Sequence, residues 1–278
     1  MKRYKTVLTI AGSDSSGGAG IQADIKTITY FKCYAMSVIT ALTAQNTQEV
    51  KSIFNTTPKF IREQLNTTCS DIKPDSIKIG MLSDKKIIQE ISKFIDNYKI
   101  SKVVLDPVMV STSGYLLLKK SAISSLTKNL ITKSMIITPN LKEAEILTNT
   151  KINSKDDMIN AIQILEKIGA KNILIKGLIK NGKIFDCLFI KKNKKIHFFE
   201  SRIIKSKNTH GTGCTLSSAI ASNLALGEDI LNSVKKSRNY IKRAIIKGSL
   251  YKIGKGSGPV YHSVSYTHLR AHETHLNL

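Results

Sequence analysis

The chain predicts an α/β fold, a three-layer α/β/α arrangement in which helices cover a mostly parallel central sheet with an antiparallel hairpin at its edge. Three observations lead there. Short apolar runs of strand length alternate with longer stretches whose apolar residues recur at helical spacing. Two glycine-rich segments, about 200 residues apart, each follow a strand-like run and open an amphipathic helix. Two further apolar runs, Ile184 to Ile190 and Ile196 to Phe199, are separated only by Lys191-Lys192-Asn193-Lys194, a hairpin connection whose lysines discourage further edge pairing.

Taken in order, Thr6 to Ile10 reads as a buried first strand. After the glycine loop, Ile21, Ile25, Ile28 and Phe31 mark one face of a helix. Ser76 to Ile79 reads as a strand, followed by a helix from about Asp84 carrying Ile87, Ile88, Ile91, Phe94 and Ile95. Strands follow at Lys102 to Leu105 and Met135 to Thr138. Asn153-Ser154 opens a helix with the stripe Met158, Ile159, Ile162, Leu165 and Ile168, which ends near Gly169 before a strand from Asn172 to Lys176. Helices from Thr212 and Asp229 close the chain.

The chain's 278 residues, 41% of them hydrophobic, suffice for one large core, so residues 1–263 are expected to form a single domain. No run approaches the 18 or more apolar residues of a membrane span, and Met1-Lys2-Arg3 leads straight into a strand, so the expected location is cytoplasmic. Cys33, Cys69, Cys187 and Cys214 are widely spaced without a CxxC pair, which points to no disulfide framework or zinc site. The formal charge of +23 would suit nucleic acid. Only six of the 43 basic residues are arginine, however, and the lysines are scattered without interleaved aromatics. The excess reads as AT-rich codon usage, and no nucleic-acid partner is expected.

The glycine segments carry the chemistry. They are Ala11-Gly12-Ser13-Asp14-Ser15-Ser16-Gly17-Gly18-Ala19-Gly20 and Asn208-Thr209-His210-Gly211-Thr212-Gly213-Cys214. Glycines let the backbone approach a bound group, and the free amides of a helix's first turn favour negative charge. Two such anion or polar-ligand cradles in one chain suggest phosphoryl transfer. Thr9 to Asp24, Ser37 to Thr47, Lys78 to Leu82, Asp106 to Val110, Thr138 to Glu145, Lys207 to Leu216 and Gly258-Pro-Val occur in an order that resembles the bacterial hydroxymethylpyrimidine and phosphomethylpyrimidine kinases of thiamine biosynthesis, within the ribokinase-like superfamily. The resemblance runs from Lys5 to His262.

That resemblance implies a ribokinase-like kinase using ATP and Mg²⁺ on a small pyrimidine, acting first on the hydroxymethyl group and then on the resulting monophosphate. It also implies a homodimer. Gly211, Thr212 and Gly213 would form the anion hole for the transferring group. Cys214, where sugar kinases of the superfamily have an aspartate, is either a base with a thiol pKa lowered by the helix dipole or a small residue shaping the pocket. Gln45, Gly12, Asp24 and Met81 match acceptor-pocket positions, with Gln45 offering donor and acceptor to an aminopyrimidine edge. On the donor side stand Asp106, Asn140, Glu143, Lys176 and Thr209. Asp106 and Glu143 would serve Mg²⁺ through its water shell, and Lys176 would neutralise phosphate charge.

Three departures from the family pattern stand out: Leu178-Ile179 in place of glycine and histidine, Ser111-Thr112-Ser113-Gly114 without the family's lysine, and Lys255 with Ser257 near the C-terminus. The first two are expected in loops that cover substrate. Alternatives are a pyridoxal or pyridoxine kinase of the same superfamily, a decayed nucleotide-binding protein, and, last, a basic nucleic-acid-binding module. Residues 264–278 resemble the translation of a transposase adapter used for sequencing libraries, and are expected to be non-native. Their His268, His272 and His275 are therefore set aside as metal ligands.

Overall fold

The computed structural model describes residues 3–109, 118 and 120–264. The segment Ser111 to Gly114 and residues 265–278 lie outside the described residues. Val264, the first residue of the expected tail, is itself packed into the core.

Nine strands form one sheet. They are β1 (Thr6–Asp14), β2 (Tyr34–Gln45), β3 (Val50–Asn55), β4 (Ser76–Ile79), β5 (Val103–Leu105), β6 (Ile136–Ile137), β7 (Asn172–Lys180), β8 (Lys183–Ile190) and β9 (Lys195–Arg202), in the order β3-β2-β1-β4-β5-β6-β7-β8-β9. The pairings from β2 through β7 are parallel. β7, β8 and β9 pair antiparallel at one edge, and β3 pairs antiparallel with β2 at the other. The sequence reading anticipated the first antiparallel edge and missed the second. It also ended β1 and β7 too early: β1 runs on through Ala11-Gly12-Ser13-Asp14, and β7 continues past Gly177, whose positive φ marks a break in its register.

The helices are α1 (Gly20–Tyr30), α2 (Pro58–Asp71), α3 (Lys85–Asn97), α4 (Lys120–Leu126), α5 (Leu141–Thr148), α6 (Lys155–Ile168), α7 (Thr212–Ala225) and α8 (Ile230–Gly248), with a π-helical turn Thr127–Ile131 after α4. Strand pleating sends alternate residues to opposite faces. Leu8, Ile77, Ile79, Val103, Leu105 and Ile173 thus pack with the apolar sides of α2, α3, α4 and α6. Val7, Val104, Ile136 and Leu174 pack with α1, α7 and α8. Both faces are covered, which makes the three layers.

Local chemistry sets the helix ends. Asp84 caps α3 by accepting from Lys86 N and Ile87 N, and Ser154 caps α6 by accepting from Asp157 N. Gly169 ends α6 with a φ of 108°, a left-handed conformation that glycine adopts freely. α7 begins at Thr212, where the sequence reading starts it.

The connections place the crevice. The chain leaves β1 for β2 on one side, then crosses back through β3 and α2 to β4 on the other side of β1. Open α/β sheets bind ligands at the carboxyl edge beside such a reversal.

Candidate active site

A cavity of about 270 Å³ opens at this edge, where β1, β4, β5, β6 and β7 deliver Gly12, Met81, Asp106, Asn140 and Lys176 to its wall. Gln45 reaches it from the end of β2, Glu143 from α5, and Thr209, Gly211, Thr212, Gly213 and Cys214 from the turn that opens α7. Of the residues singled out in the sequence, all but Asp24 line this one space.

At one end lies a charged cluster. Asp106 is buried and accepts from Lys176 Nζ at 3.1 Å, Thr138 Oγ1 at 3.0 Å and Ser217 Oγ at 3.2 Å. Burial alone would raise its carboxyl, but the charges of Lys176 and Lys78 outweigh that and hold it below the usual range. The same pairing outweighs burial at Lys176, whose ammonium is held more firmly than usual by Asp106 and Glu143. Glu143 differs. Burial, followed by the neighbouring charge of Asp106, pushes its carboxyl up to about 7. Its position is set by a capping box: Asn140 Oδ1 accepts from Glu143 N at 3.0 Å, and Glu143 Oε2 accepts from Asn140 N at 2.8 Å.

Beside it stands the N-terminus of α7. Helices α2, α3, α5, α6 and α8 each have a side chain accepting from a first-turn amide, whereas α7, with Gly211 at its N-cap, has none. Its positive end therefore faces the cavity. A Cβ on Gly213 would come within 3.5 Å of Asp106 Oδ2 and 3.8 Å of Lys176 Nζ, so the bare glycine keeps this space open.

The first glycine segment does something other than expected. Its amides are taken by the protein's own carboxylate: Asp14 accepts from Ser16 N, Gly18 N and Ala19 N at 2.8, 3.1 and 2.8 Å. These loop amides are therefore not open to an anion, although Gly12, Ser13, Asp14, Ala19 and Gly20 of this segment do line the cavity. The two segments pack on each other instead. A Cβ on Gly211, whose φ is 77°, would fall 1.9 Å from Gly18 O, and one on Gly18 would fall 2.4 Å from His210 Cδ2.

Asp14 also bonds His210 Nε2 at 2.8 Å, and burial's upward push on its carboxyl is overcome by His210 and Ser16, bringing it down to about 2. His210 in turn adjoins Gln45. One end of the Gln45 amide lies 3.3 Å from His210 Nε2 and the other 3.1 Å from Thr43 Oγ1. Met81 and Gly12 complete this second end of the cavity, with Met81 Sδ 2.8 Å from where a Gly12 Cβ would stand. Sequence reasoning quoted Asp14 and His210 without assigning them roles. The signal was present: an acid at a strand end before a glycine loop, and a histidine heading the second glycine turn.

Two site expectations are corrected. Asp24 is wholly buried and does not line the cavity; it bonds Lys78 Nζ, Thr9 Oγ1 and Ser218 Oγ beneath it. An aspartate on an amphipathic helix reads as surface or pocket because its lysine partner lies 54 residues away on β4. Cys214 was expected to have a lowered thiol pKa if it served as the base. It is half-buried on the cavity wall, and burial pushes the thiol up to about 11; the nearby ammonium of Lys78 opposes this, and the carboxylates of Asp24 and Asp106 add to it. Dehydration outweighs the lowering by Lys78 and by the Gly20 amide. The departures at Leu178 and Ile179 also fall in β7, paired with Phe185 and Ile184, rather than in a covering loop.

A mostly parallel three-layer sheet, an uncapped helix terminus beside a lysine and paired carboxylates, and an amide-bearing pocket across from them define a ribokinase-like small-molecule kinase. A family model described as phosphomethylpyrimidine kinase matches residues 14–261. A hydroxymethylpyrimidine/phosphomethylpyrimidine kinase of Bacillus subtilis is 40% identical over 264 residues, covering 94% of this chain and 96% of its own length. The thiamine biosynthesis bifunctional protein ThiED of Geobacter sulfurreducens is 43% identical over 95% of this chain, which spans only 54% of that longer protein. The crystal structure of a phosphomethylpyrimidine kinase from Clostridium difficile superposes with a TM-score of 0.76 at 45% identity, covering 87% of this chain and 99% of that one. The ADP complex of Bacillus subtilis pyridoxal kinase superposes with a TM-score of 0.86 at 34% identity, covering 94% and 98%. The chain belongs to the phosphomethylpyrimidine kinase family and is a phosphotransferase.

Proposed function

We propose that this chain transfers the γ-phosphoryl group of ATP to the hydroxymethyl oxygen of 4-amino-5-hydroxymethyl-2-methylpyrimidine, and then a second phosphoryl group to the monophosphate so formed. The observation that carries this reading is a single cavity with the open terminus of α7 and Lys176 at one end and Gln45 and Met81 at the other. Phosphoryl transfer asks for donor and acceptor in line and for fixed positive partners at the developing charge. The amides of Gly211 and Gly213 and the Lys176 ammonium supply the latter, the Thr212 amide being turned to Thr209 O.

Asp106 and Glu143 fit Mg²⁺. They are two buried oxygen donors, and the Glu143 carboxyl is raised first by burial and then by the charge of Asp106, a repulsion that a divalent cation relieves. When bound, the ion would neutralise charge on the donor's phosphates. On the acceptor side, Gln45 presents both a donor and an acceptor to the aminopyrimidine edge, and Met81 lays an apolar contact on the ring. Cys214, neutral at physiological pH, shapes the wall beside the attacking hydroxyl. A loose transition state needs little help from a base.

The pyridoxal kinase likeness makes a second hydroxymethyl heteroaromatic worth comparing. Steady-state kcat/KM for hydroxymethylpyrimidine and for pyridoxine, measured side by side, tests the assignment. Preference for the pyrimidine supports it, and turnover of pyridoxine alone overturns it. Among the described residues no helix is long and apolar enough to cross a membrane. A homodimer, implied by the resemblance, is checked by sedimentation of the same preparation.

A further inference from the structure

We propose that His210, held by Asp14, is a positioning residue that fixes which way the Gln45 amide points and so sets the order of donor and acceptor presented to the substrate. This deepens the acceptor-site reading above and rests on it. The oxygen and nitrogen of a carboxamide are nearly isosteric, so their placement follows from their partners.

Two partners settle it independently. The carboxylate of Asp14, 2.8 Å from His210 Nε2, requires that this nitrogen carry a proton and direct it to Asp14. The Gln45 amide is placed with its nitrogen 3.3 Å from the same ring nitrogen, but an NH₂ there would set two donors against each other; turned about, the amide puts its oxygen at this end, where it shares the His210 N–H with Asp14 as the longer acceptor. At the other end, the single proton of Thr43 Oγ1 goes to Ser13 O at 2.8 Å. As placed, Gln45 Oε1 lies 3.1 Å from the same hydroxyl and competes for that one proton; with the proton on the nearer Ser13 O, the hydroxyl accepts from Gln45, and the turned amide puts its NH₂ group at this end.

Both lateral partners leave the front edge of the amide, one N–H and one oxygen lone pair, free for a ligand. A 4-aminopyrimidine pairs there in one sense only, its exocyclic amine on the Gln45 oxygen and its ring nitrogen on the Gln45 N–H. The 5-hydroxymethyl group stands next to the amine, so reversing the amide would reverse the ring and turn the hydroxymethyl group away from α7. The relay from Asp14 through His210 to Gln45 thus ties the first glycine loop to substrate orientation.

The test compares the 4-amino acceptor with its 4-oxo counterpart, whose ring N–H and carbonyl present the opposite order. The wild-type chain is expected to prefer the amino compound by about 100-fold or more in kcat/KM, since a site built for one pairing leaves polar groups unmet by the other. In His210→Phe the amide is released, and the ratio should fall to within about 10-fold, with the amino compound losing and the oxo compound gaining. A purely structural loss would lower both together and keep the ratio, and that result overturns the proposal. Gln45→Glu separates the two layers. If it leaves the KM of the amino compound unchanged, the acceptor-site reading itself fails; if KM rises while His210→Phe keeps the ratio, only the relay fails. Should His210→Phe not fold, the ¹⁵N shifts of the His210 ring in the wild-type chain decide: a protonated Nε2 at pH 7 is expected, and an unprotonated one contradicts the proposal.

Discussion

Lys78 Nζ lies 2.7 Å from Asp24 Oδ2, with neither side chain exposed to solvent, and this ion pair underlies the wall that carries Cys214. Thr9 and Ser218 supply further bonds to the same carboxylate, so four elements, β1, α1, β4 and α7, converge on one buried charge. Asp24 outweighs burial and keeps Lys78 charged. Breaking one half leaves the other buried and uncompensated. Lys78→Met is therefore expected to destabilise the fold by about 3–5 kcal/mol in denaturant titrations. Asp24→Leu combined with Lys78→Met should recover much of that loss. A double variant as unstable as the sum of the singles would show that the pair is not coupled.

Glu143 sets a pH dependence whose sign can be worked out. Its folded carboxyl lies at about 7, above its unfolded value of 4.5, so the folded state holds the proton more tightly. Stability contributed by this group is complete below the unfolded value and is lost as pH rises towards and through about 7. Glu143→Gln keeps an oxygen for Asn140 N but removes the titration. Its unfolding free energy should exceed the wild-type value by about 1–3 kcal/mol more at pH 8 than at pH 5, with Tm moving in the same direction. An unchanged gap across that range would count against the buried, raised carboxyl. The same variant should need more Mg²⁺ for half-maximal rate.

Lys176 neutralises Asp106 in the free protein and faces the open end of α7. Lys176→Met should cut kcat by about 10²–10³-fold, the loss typical when one fixed partner of a developing charge is removed. The KM of the acceptor, bound at the far end of the cavity, should move less than about 3-fold. A large KM effect with kcat intact would place Lys176 in ground-state binding instead.

Cys214 gives a negative prediction with a positive control. With the thiol at about 11, the kcat profile between pH 6 and 9 should carry no limb that disappears in Cys214→Ala. Alkylation by iodoacetamide should be slow at pH 7.5 and quicken towards pH 10. A limb near pH 8 abolished by Cys214→Ala would restore the thiolate as general base.

Much of this was legible in the sequence because it is written in local patterns. The stripe of α3 and the cap and stop of α6 are each set by residues a few positions apart. What was lost lies between distant segments. β3 (Val50–Asn55) has the burial pattern of an exposed edge strand, with Phe54 largely open, and gives no strong alternation to read. In β4, Lys78 looks like a solvent-facing residue until Asp24 is set opposite it. The glycines at 18 and 211 suggested ligand approach, but each is small because the other segment passes against it. The Cys214 pKa turned on burial, which no spacing reveals.

The most direct test of the central claim is product analysis by mass after incubating the chain with ATP, Mg²⁺ and 4-amino-5-hydroxymethyl-2-methylpyrimidine. The account predicts the monophosphate first and the diphosphate later, both lost in Lys176→Met. ATP binding with no phosphorylated pyrimidine would contradict it.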